Sequence, residues 1–253
     1  MNPDTMNTAT MPIEPVLLSV TPILTYHGNA PLTNATGFFF ERNDRLYLVT
    51  SQHVFFDDEN DHRPDRIVIK FHVDRSNATR TTDFSIPLYH DALSAWVAGT
   101  DTAGKIDVAV IEVDRSAMPA DVAFFAFTPD NLLEREENIE IATPMMIVGF
   151  PLGFHDTLHK LPVVRHAVNA SSFSMRFQGN GYFLTDARTH RGSSGAPVVC
   201  RHRGQGRESF PWILLGVHSA RLDVLGRDAE ADEALGLNCA WFADILIALT
   251  EQN

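Results

Sequence analysis

Cysteine is scarce: Cys200 and Cys239 are the only two in 253 residues. That excludes a fold stapled by several disulfides, so stability has to come from packing. Both sit in apolar, strand-like text, PVVC and GLNCAWF, where a thiol behaves as a small buried residue; a bridge between the two is the alternative. Positive charge is also short, with 20 Lys and Arg against 32 Asp and Glu and a formal charge of -12. The field of such a molecule opposes nucleic acid and anionic lipid, and neither is expected as a partner. No Lys or Arg precedes Arg42, and Glu14 interrupts the first apolar stretch, so the basic segment of a secretory leader is missing and a cytoplasmic product, or an already mature one, is expected. No uncharged apolar run approaches the roughly 18 residues of a spanning helix.

What the chain does hold is apolar text in short pieces. With 44% hydrophobic residues it can bury one large core or two small ones. Residues 1–12, MNPDTMNTATMP, are polar and aperiodic and read as a loose tail. From Ile13 onward, runs rich in Val, Ile, Phe, Tyr and Thr recur between turn-formers: GFFFER, RLYLVTS, RIVIKFHV, IDVAVIEV, PMMIVGF, WILLGVHS. Strands joined by turns and long loops predict an all-β fold of antiparallel barrels or sandwiches, not repeated strand-helix-strand units. Between Phe127 and Thr143 the text turns acidic, with Asp130, Glu134, Glu136, Glu137 and Glu140 against Arg135, and reads as a solvated connector. The predicted organisation is therefore a first half over 13–127, a connector over 128–143 and a second half over 144–253. In AWFADILIALTEQN, Trp241, Ile245 and Leu249 recur every four residues with Phe242 and Leu246 beside them, which predicts a C-terminal α-helix docked on the second half.

Three segments couple a strand pattern to one reactive side chain: LYLVTSQHVF around His53, KIDVAVIEV around Asp107 and HRGSSGAPVV around Ser194. Cleaving an amide with a hydroxyl nucleophile needs a base, a carboxylate to orient that base, and donors for the developing oxyanion. His53, Asp107, Ser194 and the glycine-containing turn before the serine can supply all of these. Gly192 suits such a turn, because aiming two amides at one point commonly needs a backbone conformation that a side chain hinders.

On these motifs the chain resembles the trypsin-like peptidases. That family carries Thr-Ala-Ala-His or a close variant at a strand end, Asp-Ile-Ala-Val, and Gly-Asn/Asp-Ser-Gly-Gly-Pro. Here stand Thr50, Ser51, Gln52 and His53; Asp107, Val108, Ala109 and Val110; and Gly192, Ser193, Ser194, Gly195, Ala196 and Pro197. The order His, Asp, Ser and the separations of 54 and 87 residues are similar to the family's. The resemblance runs from about Val16 to Leu249. It implies two six-stranded antiparallel β-barrels with the site between them, a His53-Asp107-Ser194 triad, and an oxyanion hole from the backbone amides of Gly192 and Ser194. It implies no metal and no organic cofactor. Two departures stand out. Ser193 replaces the Asp that pairs with a newly cut N-terminus in the digestive enzymes, so that activation switch is not expected, and Ala196 replaces the second Gly.

By the same resemblance, the pocket for the residue before the scissile bond is lined by Arg188, Thr189 and the run Val217, His218, Ser219, Ala220. A trypsin-type enzyme has Asp where Arg188 stands, so cleavage after Lys or Arg is not expected. Thr189 with His218 in a Gly-Val-His segment is similar to glutamyl endopeptidases. Imidazole and hydroxyl can both donate to a carboxylate, so Glu, less readily Asp, is the expected residue; the alternative is Gln, for which viral chymotrypsin-like proteases use a similar His and Thr. The alternative for His218 is a core histidine satisfied by a backbone carbonyl. Ser219 matches a serine that touches the triad carboxylate in the family; an ordinary strand hydroxyl is its alternative.

Other readings fit these residues less well. His155 and His159 have the spacing of a helical metal pair, but Pro151 and Gly153 point to a loop and no third ligand completes a set. Asp57, Asp58, Glu59 and Asp61 lack the ordered spacing of a calcium loop. The Gly192–Ala196 segment also resembles the nucleophile elbow of esterases, but that fold needs alternating helices and a His after the Ser. The second functional class is a catalytically silent or partner-activated relative that binds peptides. The expected partners are a peptide or protein substrate and a regulatory protein that restrains a protease kept inside a cell.

Overall fold

The computed structural model describes residues 13–74, 76–134, 139–202, 210–222 and 236–251. The expected tail over 1–12 lies outside the described residues, as do residues 135–138 of the acidic connector. The strands of the first half are β1 (Val20–His27), β2 (Ala30–Arg42), β3 (Arg45–Thr50), β4 (Arg66–His72), β5 (Thr81–Pro87), β6 (Tyr89–His90), β7 (Leu93–Ser94), β8 (Trp96–Asp101) and β9 (Gly104–Glu112). Those of the second are β10 (Pro144–Gly149), β11 (Val163–Asn169), β12 (Tyr182–Asp186), β13 (Pro197–Arg201), β14 (Trp212–Arg221) and β15 (Leu237–Phe242). Two short helices, α1 (Gln52–Phe55) and α2 (Ile245–Leu249), complete the named elements.

The second half is a closed six-stranded antiparallel barrel in the order β10-β11-β12-β15-β14-β13. The first half is a seven-stranded sheet in the order β5-β4-β1-β2-β3-β9-β8, so one closed barrel and one sheet stand where two closed barrels were expected. Its outer strands β5 and β8 are joined along the chain through the β6-β7 hairpin rather than by a ladder between them.

Local chemistry explains the pieces. At the β2-β3 hairpin, Arg42 pairs with Arg45 across a two-residue loop, and Asn43 and Asp44 both take positive φ, as a type I′ turn requires. The run Phe38-Phe39-Phe40 is apolar throughout because both faces of β2 are covered. Phe39 packs into the sheet's own core with Leu48, Ile67 and Phe71, while Phe38 and Phe40 enter a shared core with Val148, Val199 and Leu214 of the barrel. Each such ring contributes ~1.5–3 kcal/mol of burial free energy, so the two halves are held by packing.

The C-terminal helix differs from expectation in extent and in place. Trp241 and Phe242 belong to β15, where Trp241 pairs with Tyr182 and with Val217, and only Ile245–Leu249 is helical. It packs against β8 and β9 of the first half, with Leu249 and Ile245 over Gly99. The Arg42 guanidinium donates to the Ile247 carbonyl, fastening the end of the chain across the molecule.

Candidate active site

Residues of both halves meet around His53, Asp107 and Ser194. Strand β3 runs out at Thr50, paired with Ala109 of β9, and the single turn of α1 follows from Ser51. Two residues before Ala109 on β9, Asp107 lies beside that turn and takes His53 at two points. Its Oδ1 accepts the His53 backbone amide at 2.9 Å, and its Oδ2 accepts from His53 Nδ1 at 2.7 Å. A carboxylate on Nδ1 sets the tautomer with the Nε2 lone pair free, which is the form a general base needs. Burial works against protonating His53, but the hydrogen bond and charge of Asp107, with the charge of Asp57, outweigh it and hold its pKa above the usual 6.5.

Ser219 on β14 connects this pair to the serine. Its hydroxyl donates to Asp107 Oδ2, and its backbone carbonyl accepts from Ser194 Oγ at 3.2 Å. Among the described residues no hydrogen bond joins Ser194 Oγ to His53. Ser194 is partly buried, and rotation about its Cα–Cβ bond swings the hydroxyl.

The turn that carries Ser194 is bracketed by two glycines for which no other residue fits. Gly192 has φ +90°, and a Cβ there would lie 2.6 Å from the Phe150 carbonyl oxygen and 2.8 Å from Asn34 Oδ1. Gly195 has φ +84°, and a Cβ would lie 2.1 Å from Thr50 Oγ1 and 2.2 Å from the Thr36 carbonyl oxygen. The Arg191 carbonyl accepts from the Leu152 amide at 2.5 Å. Because every peptide bond is trans, the following Gly192 N–H points the opposite way, and neither it nor the Ser194 N–H donates to any group among the described residues.

Thr36, fully buried on β2, escaped sequence reasoning, yet it holds this turn from the opposite half. Its amide donates to the Ser194 carbonyl at 3.0 Å, its hydroxyl donates to the Gly192 carbonyl at 2.7 Å, and that same hydroxyl accepts the Phe150 amide at 3.0 Å. Thr50 Oγ1 in turn donates to the Thr36 carbonyl at 2.8 Å. A threonine in strand text carries no signal of such a role; only the tertiary contact reveals it.

Of the expected pocket residues, Thr189, Val217, His218 and Ser219 are buried, and Arg188 and Ala220 are exposed. His218 is 2% exposed, its amide bonds the Ala196 carbonyl and its own carbonyl accepts the Gly195 amide, both at 2.8 Å. Its Nδ1 is buried without a hydrogen-bond partner, so no backbone carbonyl satisfies that nitrogen. Burial, and then the neighbouring His53, hold its pKa down to about 4 against the pull of Asp107. Thr189, also buried, donates its hydroxyl to Asn238 Oδ1, a partner not anticipated from the sequence. Arg188 is exposed, and its carbonyl accepts from the Arg165 guanidinium.

The remaining candidates are engaged elsewhere. His155 Nδ1 contacts the Gly153 carbonyl at 2.6 Å and His159 Nδ1 contacts Asp156 at 2.6 Å. Asp58 and Asp61 pair with Arg63, and Asp57 accepts from Asn60. Cys200 and Cys239 are both buried thiols, and burial pushes Cys239 up to about 11.

Comparison with known proteins gives a family and a fold. The family described as "Trypsin-like peptidase domain" matches residues 35–205. Among solved structures, a serine endoprotease from Yersinia pestis superposes with a TM-score of 0.55 at 15% identity, over 92% of this chain and 62% of that one. Rv3671c from M. tuberculosis H37Rv, in the inactive form of a serine-to-alanine mutant, superposes with a TM-score of 0.51 at 15% identity, over 94% of this chain and 89% of that one. The chain thus spans less than two thirds of the Yersinia chain. No curated protein matches its sequence.

Proposed function

The chain belongs to the trypsin-like peptidase family and is a serine protease, a hydrolase, and from that premise we propose that it is an endopeptidase whose triad is His53, Asp107 and Ser194. The observation that carries the assignment is the two-point grip of Asp107 on His53, joined through Ser219 to a serine on a glycine-bracketed turn. We read the seven-stranded sheet as the first of the family's two barrels, closed by the run of the chain through β6 and β7.

A rotation about the Ser194 side chain turns its hydroxyl from the Ser219 carbonyl to His53 Nε2. His53 takes the hydroxyl proton as Ser194 Oγ bonds to the peptide carbonyl carbon, and the carbonyl oxygen becomes an oxyanion facing the Gly192 and Ser194 amides. The tetrahedral adduct expels the amine, which leaves with the proton from His53, and a water molecule repeats the sequence on the acyl-enzyme to release the acid and restore Ser194. Asp107 stabilises the imidazolium formed in each half. Residues 189 and 218 form a pocket for a polar side chain, Glu, Asp or Gln, before the scissile bond.

The test is mass spectrometry of a peptide-library digest with wild type and Ser194→Ala in parallel. Cuts that vanish in Ser194→Ala support the assignment; cuts that persist, or no cuts in either, count against it.

A further inference from the structure

Which polar side chain the pocket takes depends on the direction of its hydrogen bonds, and these can be assigned. Asn238 is fully buried on β15, and its Nδ2 donates to the carbonyls of Ala187 at 2.8 Å, Gly236 at 3.0 Å and Thr185 at 3.3 Å. Turning the amide over would set its oxygen against three carbonyl oxygens, so the orientation is fixed. Oδ1 can only accept, and the Thr189 hydroxyl bonded to it must donate. That uses the one proton Thr189 has. Towards a ligand it offers lone pairs alone.

His218 supplies the complementary group. It pairs with Ala240 of β15, and Asn238 lies two residues from Ala240 on the same face of that strand, so ring, amide and Thr189 hydroxyl share one end of the barrel. The ring is buried beside His53, which itself becomes an imidazolium during the reaction, and it stays neutral with a single proton. On Nδ1 that proton would be a buried donor without a partner, so Nε2 carries it.

Resting on the protease reading above, we propose that the Thr189, His218 and Asn238 pocket is built for a neutral carboxamide, and that the enzyme cleaves after Gln in preference to Glu. A carboxamide gives each group its match: its oxygen accepts the His218 proton and its NH₂ donates to Thr189 Oγ1. A carboxylate has no proton for Thr189, meets lone pairs with negative charge, and receives one neutral N–H in return for losing its water.

The experiment is a pair of peptides identical except for Gln or Glu before the scissile bond, assayed with wild type, Thr189→Val, Thr189→Ser and Ser194→Ala. Wild type is expected to favour Gln in kcat/KM by at least about tenfold, the size of one hydrogen bond lost with its partner left unpaired. Thr189→Val should erase most of that ratio, and Thr189→Ser should keep it. If Thr189→Val does not fold, the wild-type ratio decides alone. Cleavage that needs Ser194 but is as fast or faster with Glu, or occurs only after other residues, overturns this inference and leaves the protease reading standing. Absence of any Ser194-dependent cleavage of these peptides or of a library overturns the protease reading itself.

Discussion

Ser219 Oγ and His53 Nδ1 share one acceptor, Oδ2 of Asp107, while the Ser219 carbonyl holds the resting hydroxyl of Ser194. One residue of β14 thus touches both the carboxylate and the nucleophile. Removing its hydroxyl frees the carboxylate to swing but leaves the backbone contact to Ser194. Ser219→Ala should lower kcat roughly tenfold, the effect of one charge-assisted hydrogen bond, with KM unchanged. Steady-state kinetics on a cleaved peptide checks it; a change confined to KM would place Ser219 in substrate binding instead.

The raised pKa of His53 sets the pH dependence. A base with a raised pKa keeps its proton to higher pH, so kcat/KM should fall as pH drops through a midpoint above 6.5, not below it. Asp107→Asn removes the charge that raises it, and it should move that midpoint down while lowering kcat by about 10⁴-fold, the magnitude of this substitution in a His-Asp-Ser triad. A pH profile for both proteins reads the two effects separately.

The contacts of Thr36 give a positioning role to a residue that touches no substrate in the mechanism above. Thr36→Val keeps the shape but loses the bonds to the Gly192 carbonyl and the Phe150 amide. The turn then keeps only the backbone bond from the residue 36 amide to the Ser194 carbonyl, and kcat should fall by about 10–100-fold, less than deletion of an oxyanion donor outright. Thr36→Ser restores the hydroxyl and should recover most of the rate. A merely structural role would lower stability without a kcat effect that serine rescues.

How much of this could be read in the sequence follows from the range of each interaction. His53, Asp107 and Ser194 could be picked out as candidates because each sits in a short motif whose reactive side chain is tied to a local strand pattern. Thr36 could not, because its partner Gly192 is 156 residues away. The Thr189–Asn238 bond, spanning 49 residues, was invisible for the same reason, and without it both pocket groups read as donors. At the C-terminus, Trp241 and Phe242 fit helical spacing as well as they fit a strand, and only their pairing with β12 and β14 decides between the two. Runs rich in Val, Ile, Phe, Tyr and Thr between turn-formers marked the strands, but how the first sheet's edges meet depends on the β6-β7 hairpin, which carries little apolar signal.

Gly195 offers a stability test independent of activity. A methyl at this position would collide with Thr50 Oγ1 and the Thr36 carbonyl while φ stays at +84°. Gly195→Ala should cost about 2–4 kcal/mol of unfolding free energy, from left-handed strain together with overpacking. Urea unfolding followed by tryptophan fluorescence measures it.

The triad assignment is tested most directly with a fluorophosphonate probe, which bonds only a serine activated by a base beside oxyanion donors. Tryptic mapping after reaction should find the adduct on Ser194 in the wild type, none in Ser194→Ala, and labelling slowed by orders of magnitude in His53→Ala. An unlabelled wild type, an adduct on another serine, or labelling indifferent to His53 would contradict it.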